Sequence, residues 1–261
     1  KEWNELYREE LVEPNPGDAD KEEIPESTFR IPNKFKQFKV FLVRDVLSKL
    51  TNKQYLFINL LEAPILAMIL AYFVKFYDSD ISNEFGYVFH DNENLPAYMF
   101  MAVVVSLFIR LTVSAEEIIR DQKIRKRESF LNLSNGSYLI SKIIIMFVLS
   151  AIQTITFLLV GNMILGISGM TFDYWVVLLT TACFANMLGL NISATYNSAV
   201  TIYILIPFLL IPQLLFSGVI VKFDKLTSSV PSHTHVPLIG AMMASSWAFE
   251  ARAVNQFNNN E

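Results

Sequence analysis

Five long apolar runs constrain this chain more than any other feature of its sequence. Their approximate bounds are Tyr55 to Phe76, Ala97 to Val113, Tyr138 to Ile167, Tyr174 to Ala194 and Ala199 to Val221. A helix needs about 20 apolar residues to cross the hydrocarbon core of a bilayer, and these runs have that length or approach it. Because the bilayer core offers no water to backbone groups, open-ended spanning segments must be helices. We therefore predict an all-α polytopic membrane protein with five transmembrane helices.

The charges between the runs predict the orientation of the chain. Basic residues dominate the segment before the first run (Lys34, Lys36, Lys39, Arg44, Lys49, Lys53) and the segment between the second and third runs (Arg120, Lys123, Arg125, Lys126, Arg127). The segment between the first and second runs has acidic residues and no Lys or Arg. Since Lys and Arg accumulate on the cytoplasmic side, both basic segments and the N-terminus are expected to be cytoplasmic. We expect a multi-pass protein of a plasma or inner membrane.

The flanking regions differ from the apolar core in composition. Residues 1–33 are highly charged and contain four prolines, which is typical of an acidic linker without a packed core. Residues 34–53 have Phe35, Phe38, Leu42, Val46 and Leu50 at helical spacing among basic residues, which predicts an amphipathic interfacial helix. Residues 54–221 form the predicted five-helix domain. Residues 222–261 are then expected outside the cell, before a sixth helix that would follow in a longer parent protein.

The sequence lacks the side-chain sets that most catalytic or metal sites require. It contains no G-x-x-x-x-G-K-[ST] motif, so we expect the chain itself not to bind nucleotide phosphates. The histidines, His90, His233 and His235, lie in predicted external loops, where solvated side chains are expected rather than a metal site. No catalytic residue, metal ligand set or nucleic-acid partner is predicted, and the lipid bilayer is the expected surroundings.

Polar residues inside predicted spans are candidates for function, because a charge at the centre of a membrane helix costs roughly 2.5 to 3.5 kcal/mol on insertion scales. Glu62 lies about two turns into the first run and could line a substrate path, or it could make a structural bond or reach the interface. Arg110 lies near the cytoplasmic end of the second run, where a long side chain can reach the headgroups.

A charged stretch from Ser114 to Lys142 separates the second and third runs. Its composition is compatible with a helix until Asn135-Gly136, so it is expected to extend the second span into the cytoplasm and then fold back. We predict a coupling helix at about residues 115–136. The stretch is either a docking surface for a partner or an ordinary solvated loop.

Several motifs, taken in order, resemble the transmembrane domain of G-subfamily ABC exporters, the type-2 ABC permeases. They are the basic helix before the first span, Glu116 at the end of the second, and the segments RESFLNLSNGSYLISK, LLFSGVIV and SSWAFEARAVNQF. The resemblance implies a six-helix unit that works as a homodimer or pseudo-dimer. It also implies an ABC ATPase domain, upstream in the same polypeptide, that binds ATP and Mg²⁺. No cofactor is expected in this chain.

The same resemblance implies roles for individual residues. A substrate cavity would be lined by Ser106, Ile109, Ile211 and Leu214, and an apolar plug above it would be formed by Val219 and Ile220. Contact with the ATPase domain would be made by Glu116, Arg120, Glu128 and Ser129. The cavity and plug residues could equally be ordinary packing residues.

The sequence supports an ATP-driven exporter of a hydrophobic or amphiphilic substrate, and it leaves two alternatives open. The first is a membrane scaffold or sensor whose charged stretch recruits a partner without transport. The second is an ion-coupled secondary carrier that uses Glu62, although no internal repeat accompanies that residue.

Overall fold

The structure is a computed structural model that describes residues 32–75, 94–131, 133–167, 169–221 and 238–259. Over these residues it contains α-helices, one short 3-10 turn and no strand. The helices are α1 Lys34–Thr51, α2 Lys53–Val74, α3 Asn94–Arg127, α4 Asn135–Leu165, α5 Thr171–Thr195, α6 Ala199–Leu215, α7 Leu238–Ala241 and α8 Ala244–Asn259. Nearly all of the predicted linker and the three histidines lie outside the described residues.

Four helices, α2 to α5, are long and apolar enough to cross a membrane. They coincide with the first four predicted runs, which confirms the prediction of an all-α polytopic membrane protein. The fifth run forms the shorter apolar helix α6, which has 17 residues. This helix ends at Leu215 although the apolar run continues to Val221, and Gly218 follows with a φ of 80°. The hydropathy of the sequence identified the apolar run, but it did not identify the residue at which the helix ends.

Helix α3 is much longer than the run that predicted it. It has 34 residues and continues past Val113 through the charged stretch to Arg127. A single 3-10 turn, Ser129–Leu131, follows. Asn135-Gly136 does not end this helix as expected but begins α4, where Ser134 caps the helix by accepting a hydrogen bond from the Ser137 amide. Hydropathy detects only the apolar part of a helix, whereas Glu, Lys and Arg are good helix formers that prolong it.

Helices α3 and α5 form the centre of the bundle and run in the same direction. Successive contacts along them join Met99 to Tyr174, Ser106 to Leu178 and Ile118 to Ser193. The two backbones approach each other closely at Gly189. A Cβ atom at this position would lie 2.8 Å from the Leu111 carbonyl oxygen and 2.9 Å from the Ala115 amide nitrogen. Glycine is therefore required there for the helices to pack, as small residues are at many membrane helix interfaces.

Helix α8 packs on α3 and α5. Its fully buried Arg252 donates a hydrogen bond to the Met99 carbonyl oxygen at 2.9 Å. The guanidinium also lies over the rings of Tyr174 and Tyr98, with 4.4 and 5.7 Å to their centroids. Since Tyr98 and Met99 belong to the start of α3, this contact lies at the end of the bundle opposite the charged stretch.

Candidate functional site

Three helices bring their charged side chains together at the end of the bundle where α3 finishes. They are α1, the polar end of α3 and the start of α4, which carry what we call the ion cluster: Asp45, Lys49, Glu117, Arg120, Asp121 and Lys142. Most of these side chains are buried, which is uncommon for charged residues. The cluster is the densest arrangement of ionic contacts among the described residues.

Lys142 on α4 is the centre of the ion cluster. Its Nζ atom lies 2.6 Å from Asp45 Oδ1, 2.8 Å from Glu117 Oε1 and 2.8 Å from Asp121 Oδ2. The side chain is only 2% exposed. An ammonium group has three protons to donate, and each is matched here by a carboxylate oxygen. Lys142 therefore joins α4 to both α1 and α3.

Lys49 and Arg120 complete the charge balance. Lys49 pairs with Glu117, and its Nζ atom lies 3.3 Å from Asp45 Oδ1. Arg120 Nη2 lies 3.1 Å from Glu117 Oε2. The cluster thus has three carboxylates and three cations, so it is formally neutral. Neutrality matters because an unpaired charge in this buried place would be strongly destabilising.

Glu117 is the most enclosed acid of the cluster and lies on α3 past the apolar part of that helix. Burial alone would raise the pKa of its carboxyl group, but Lys49, Lys142 and Arg120 outweigh burial and lower the pKa to about 2. The group is therefore ionised at physiological pH, and its contacts are ion pairs rather than neutral hydrogen bonds.

Two tyrosines flank the ion cluster. Tyr138 donates a hydrogen bond from its hydroxyl to Asp121 Oδ2 at 3.1 Å, and the Arg125 guanidinium lies 4.6 Å from its ring centroid. Tyr55 packs against Lys49 and Arg120, with 5.6 and 5.3 Å from its centroid to their charged groups. These rings shield the ion pairs from solvent and add cation–π attraction.

A second set of contacts ties α1 to the turn between α3 and α4. Arg44 Nη1 lies 2.6 Å from Glu128 Oε1. The Ser134 amide donates to Gln37 Oε1 at 2.8 Å, and the Ser137 hydroxyl donates to the Lys34 carbonyl oxygen at 3.0 Å. Helix α1 is consequently held along its length, by the turn at one end and by the ion cluster at the other.

A polar groove of about 410 Å³ opens beside these contacts. Its lining includes Arg125, Lys126, Glu128, Ser129 and Tyr138. The groove offers both signs of charge and several hydroxyl groups, so its lining can form ion pairs and hydrogen bonds with a polar partner.

Helix α3 has an unusual backbone contact between its apolar and charged parts. The Ser193 hydroxyl of α5 accepts hydrogen bonds from two successive α3 amides, Ile118 at 2.9 Å and Ile119 at 3.1 Å. In a regular helix these amides donate to carbonyl groups one turn earlier. Helix α3 is nevertheless continuous from Asn94 to Arg127, so the Ser193 hydroxyl adds a contact with α5 without ending the helix.

The structure places the four predicted coupling residues in different surroundings. Arg120 belongs to the ion cluster and Glu128 pairs with Arg44. Ser129 donates its hydroxyl to the Lys126 carbonyl oxygen at 2.9 Å, and Glu116 is half-buried. The acid that enters the cluster is the neighbouring Glu117.

Sequence reasoning missed most of the ion cluster. Two signals were present: Asp45 is the only acid on the otherwise basic α1, and Lys142 is the only charged residue of α4. A lone charge that interrupts a strong pattern indicates a buried partner, because a buried charge must be paired.

The predicted cavity residues do not all face the same space. Ser106 and Ile109 line a small cavity of about 20 Å³ together with Arg110 and Gln153. Ile211 is exposed and Leu214 is half-buried on α6, and neither lines this cavity. Val219 and Ile220 follow the end of α6, and Ile220 is exposed. The four predicted lining residues therefore do not share this cavity, although Leu107 and Leu111 of α3 line a separate small cavity with Leu209, Leu210 and Gln213 of α6.

The two intramembrane charges also differ from each other. Glu62 is half-buried on α2. Arg110 was expected to reach the headgroups, but it is 1% exposed and its Nη1 atom lies 3.5 Å from the Ser150 hydroxyl. Arg110 thus turns into the bundle, where α3, α4 and α5 meet around Ser150 and Asn186.

Comparison with known protein families gives a match. The sequence profile described as ABC-2 type transporter matches residues 36–257. A comparison with individual curated proteins gave no match. The matched interval extends from α1 through α8 and includes the ion cluster, the turn after α3 and all four spanning helices.

Proposed function

The chain belongs to the ABC-2 type transporter family, and from that premise we propose that it is the membrane half of an ATP-driven exporter. The family makes the chain an integral membrane permease domain of ABC type. Export, coupling to ATP hydrolysis and the nature of the cargo are the proposal.

The proposed partners are an ABC ATPase domain and a second membrane half. The ATPase domain would bind ATP and Mg²⁺ and supply the energy, since this chain has no phosphate-binding motif. The second half would be another copy or a related chain. Exposed α6 side chains, among them Ile211, would face that second half across a shared cavity, with Ser106, Ile109 and Leu214 as further candidate lining residues. Val219 and Ile220 would close the cavity at its outer end.

The ion cluster is the observation that carries the coupling proposal. We expect the ATPase domain to dock on the cytoplasmic turn at Glu128 and Ser129 and in the polar groove beside them, near Glu116 and Arg120. A displacement of that turn would reach α1 through Arg44 and reach α4 through Lys142. Because breaking a buried ion pair costs roughly 3 to 5 kcal/mol, moving the three helices together requires less energy than separating them.

The transport cycle follows from this linkage. ATP-driven closure of the ATPase domains would push the two turns towards each other, and each group of helices would rotate as a body. Access to the cavity would pass from the cytoplasmic side to the external side. The apolar surroundings favour a hydrophobic or amphiphilic cargo, because a strongly polar molecule would lose its hydration without compensating contacts.

The test uses the full polypeptide in inside-out membrane vesicles. A panel of fluorescent amphiphilic dyes should accumulate inside these vesicles only when ATP is present, since an exporter then pumps inwards. Accumulation in right-side-out vesicles instead would contradict export. ATP hydrolysis without movement of any dye would leave the scaffold alternative as the better explanation.

A charge-reversal variant tests the coupling surface. Glu128→Arg should leave ATP hydrolysis near the wild-type rate and strongly reduce dye accumulation, because the docking contact is lost while the nucleotide site is intact. Lys123→Glu provides a control, since Lys123 is exposed on α3 outside the polar groove. Equal accumulation in the two variants would remove Glu128 from the proposal.

A further inference from the structure

An apolar groove lies where α1, α2 and α4 meet, beside the ion cluster. It has a volume of about 280 Å³. The side chains that define it are Leu42, Val46, Leu50, Leu60, Ile144 and Val148. Several remain well exposed, with Leu50 and Val148 each 54% exposed. Such an exposed apolar lining requires an apolar occupant.

The groove lies beside membrane-spanning helices. α2 and α4 are both among the four candidate spans, and Asn59 of α2 contacts Gln153 of α4 at the deep end of the groove. The bilayer therefore surrounds its lining residues. Lipid is the molecule available in that position.

The opposite end of the groove is basic. α1 begins beside the start of α4, where Lys34 contacts Ser137, and eleven residues later Asp45 contacts Lys142. Lys36 and Lys39 are thus at the polar end of α1, and both are exposed.

Helical spacing aligns this charge with the groove. Lys39 precedes Val46 by seven residues and Leu50 by eleven, which places all three on one stripe of α1. The only acid of α1, Asp45, is buried in the ion cluster and cannot neutralise the stripe. The groove therefore has an apolar body and a cationic end.

We propose that this groove binds one anionic phospholipid, with its acyl chain between α1, α2 and α4 and its phosphate at Lys36 and Lys39. The arrangement of charge matches the two parts of such a lipid. Binding would also support the ion cluster, because Lys49 contributes to both the groove lining and the cluster. The lipid would hold α1 on α4 and stabilise the unit that carries Lys142.

This site is independent of transport direction and cargo, and it is tested by lipid retention rather than by activity. The full polypeptide is purified in detergent and titrated with phosphatidylglycerol or phosphatidylcholine of the same acyl chains. Native mass spectrometry then counts the retained lipids. We expect one phosphatidylglycerol to be retained in preference to phosphatidylcholine.

Two kinds of variant distinguish recognition of the lipid headgroup from binding of its acyl chain. Lys36→Gln with Lys39→Gln should lower the preference for phosphatidylglycerol by about fivefold for each lysine, the factor expected per basic residue near an anionic surface. Lys123→Gln makes the same charge change elsewhere and should have no effect. Val148→Trp fills the groove and should reduce retention of both lipids.

The exposed lysines touch no core packing, so their variants stay informative even if Val148→Trp fails to fold. Equal retention of the two lipids by the wild type would overturn the proposal. So would a lysine variant that behaves like Lys123→Gln. Val148→Trp that keeps the lipid, or that alters the oligomeric state instead, would show that another surface binds lipid or that a second polypeptide covers the groove.

Discussion

The Nζ atom of Lys142 on α4 lies 2.6 Å from Oδ1 of Asp45 on α1, although 97 residues separate them in the chain. This pair closes the ion cluster on the side of α1. It makes α1 part of the helical bundle rather than a separate segment lying beside it, so the stability of the bundle should depend on Lys142.

Lys142→Met should strongly destabilise the protein. The substitution leaves Asp45, Glu117 and Asp121 with one fewer cation in a buried place, and breaking such a pair costs roughly 3 to 5 kcal/mol. Lys142→Arg keeps the positive charge and should lower the stability less than Lys142→Met. Thermal melting in detergent measures the effect, with Lys123→Met as the exposed control. A melting curve for Lys142→Met that matches the wild type would mean that the cluster does not stabilise the bundle.

The pair formed by Arg44 and Glu128 should behave differently because both side chains are partly exposed, 40% and 29%. Arg44→Glu or Glu128→Arg alone should cost no more than about 1 kcal/mol, and the double exchange should restore most of it. If Glu128 also contacts the ATPase domain, the double exchange will recover the melting temperature without recovering dye accumulation. Recovery of both would restrict Glu128 to an internal role.

Gly189→Ala should weaken the packing of α3 on α5. The added methyl group would press on the α3 backbone at Leu111 and Ala115, which cannot move as a flexible side chain can. Overpacking of this kind costs roughly 1 to 3 kcal/mol. Gly136→Ala is the matched control, because its Cβ would meet only Ser134 Oγ at 3.9 Å. The control should melt at the wild-type temperature or slightly above, since alanine favours a helix.

Arg252→Met should loosen α8 from the bundle. The change removes the hydrogen bond to Met99 and the cation–π contacts with Tyr98 and Tyr174. Maleimide labelling can follow it with Ala248→Cys as the probe, in a Cys183→Ala background, because Ala248 is buried on α8. We expect labelling several times faster in the Arg252 variant. Glu250→Gln, at an exposed α8 position, should leave the rate unchanged.

The spanning helices could be predicted from the sequence because their signal is local. A run of apolar residues is sufficient to identify a membrane helix, and all five runs proved to be helical. The residues at which helices end are not determined by hydropathy. α3 continues to Arg127 through residues with high helix propensity, and α6 stops at Leu215 within an apolar run.

The ion cluster could not be predicted in the same way, since the pairs that join different helices link residues 21 to 97 positions apart. The choice between Glu116 and Glu117 shows the difficulty. Adjacent residues of a helix point about 100° apart. Which of the two acids is buried therefore depends on the rotation of α3 about its axis relative to α1 and α4. The sequence carries no local record of that rotation.

The Ser193 hydroxyl affects how a displacement of the charged end of α3 would be transmitted to the other helices. This hydroxyl accepts hydrogen bonds from the Ile118 and Ile119 amides, so α3 is bonded to α5 at this point as well as within its own backbone. Helix α3 is continuous through this point, so a displacement of its charged end would move α5 together with it.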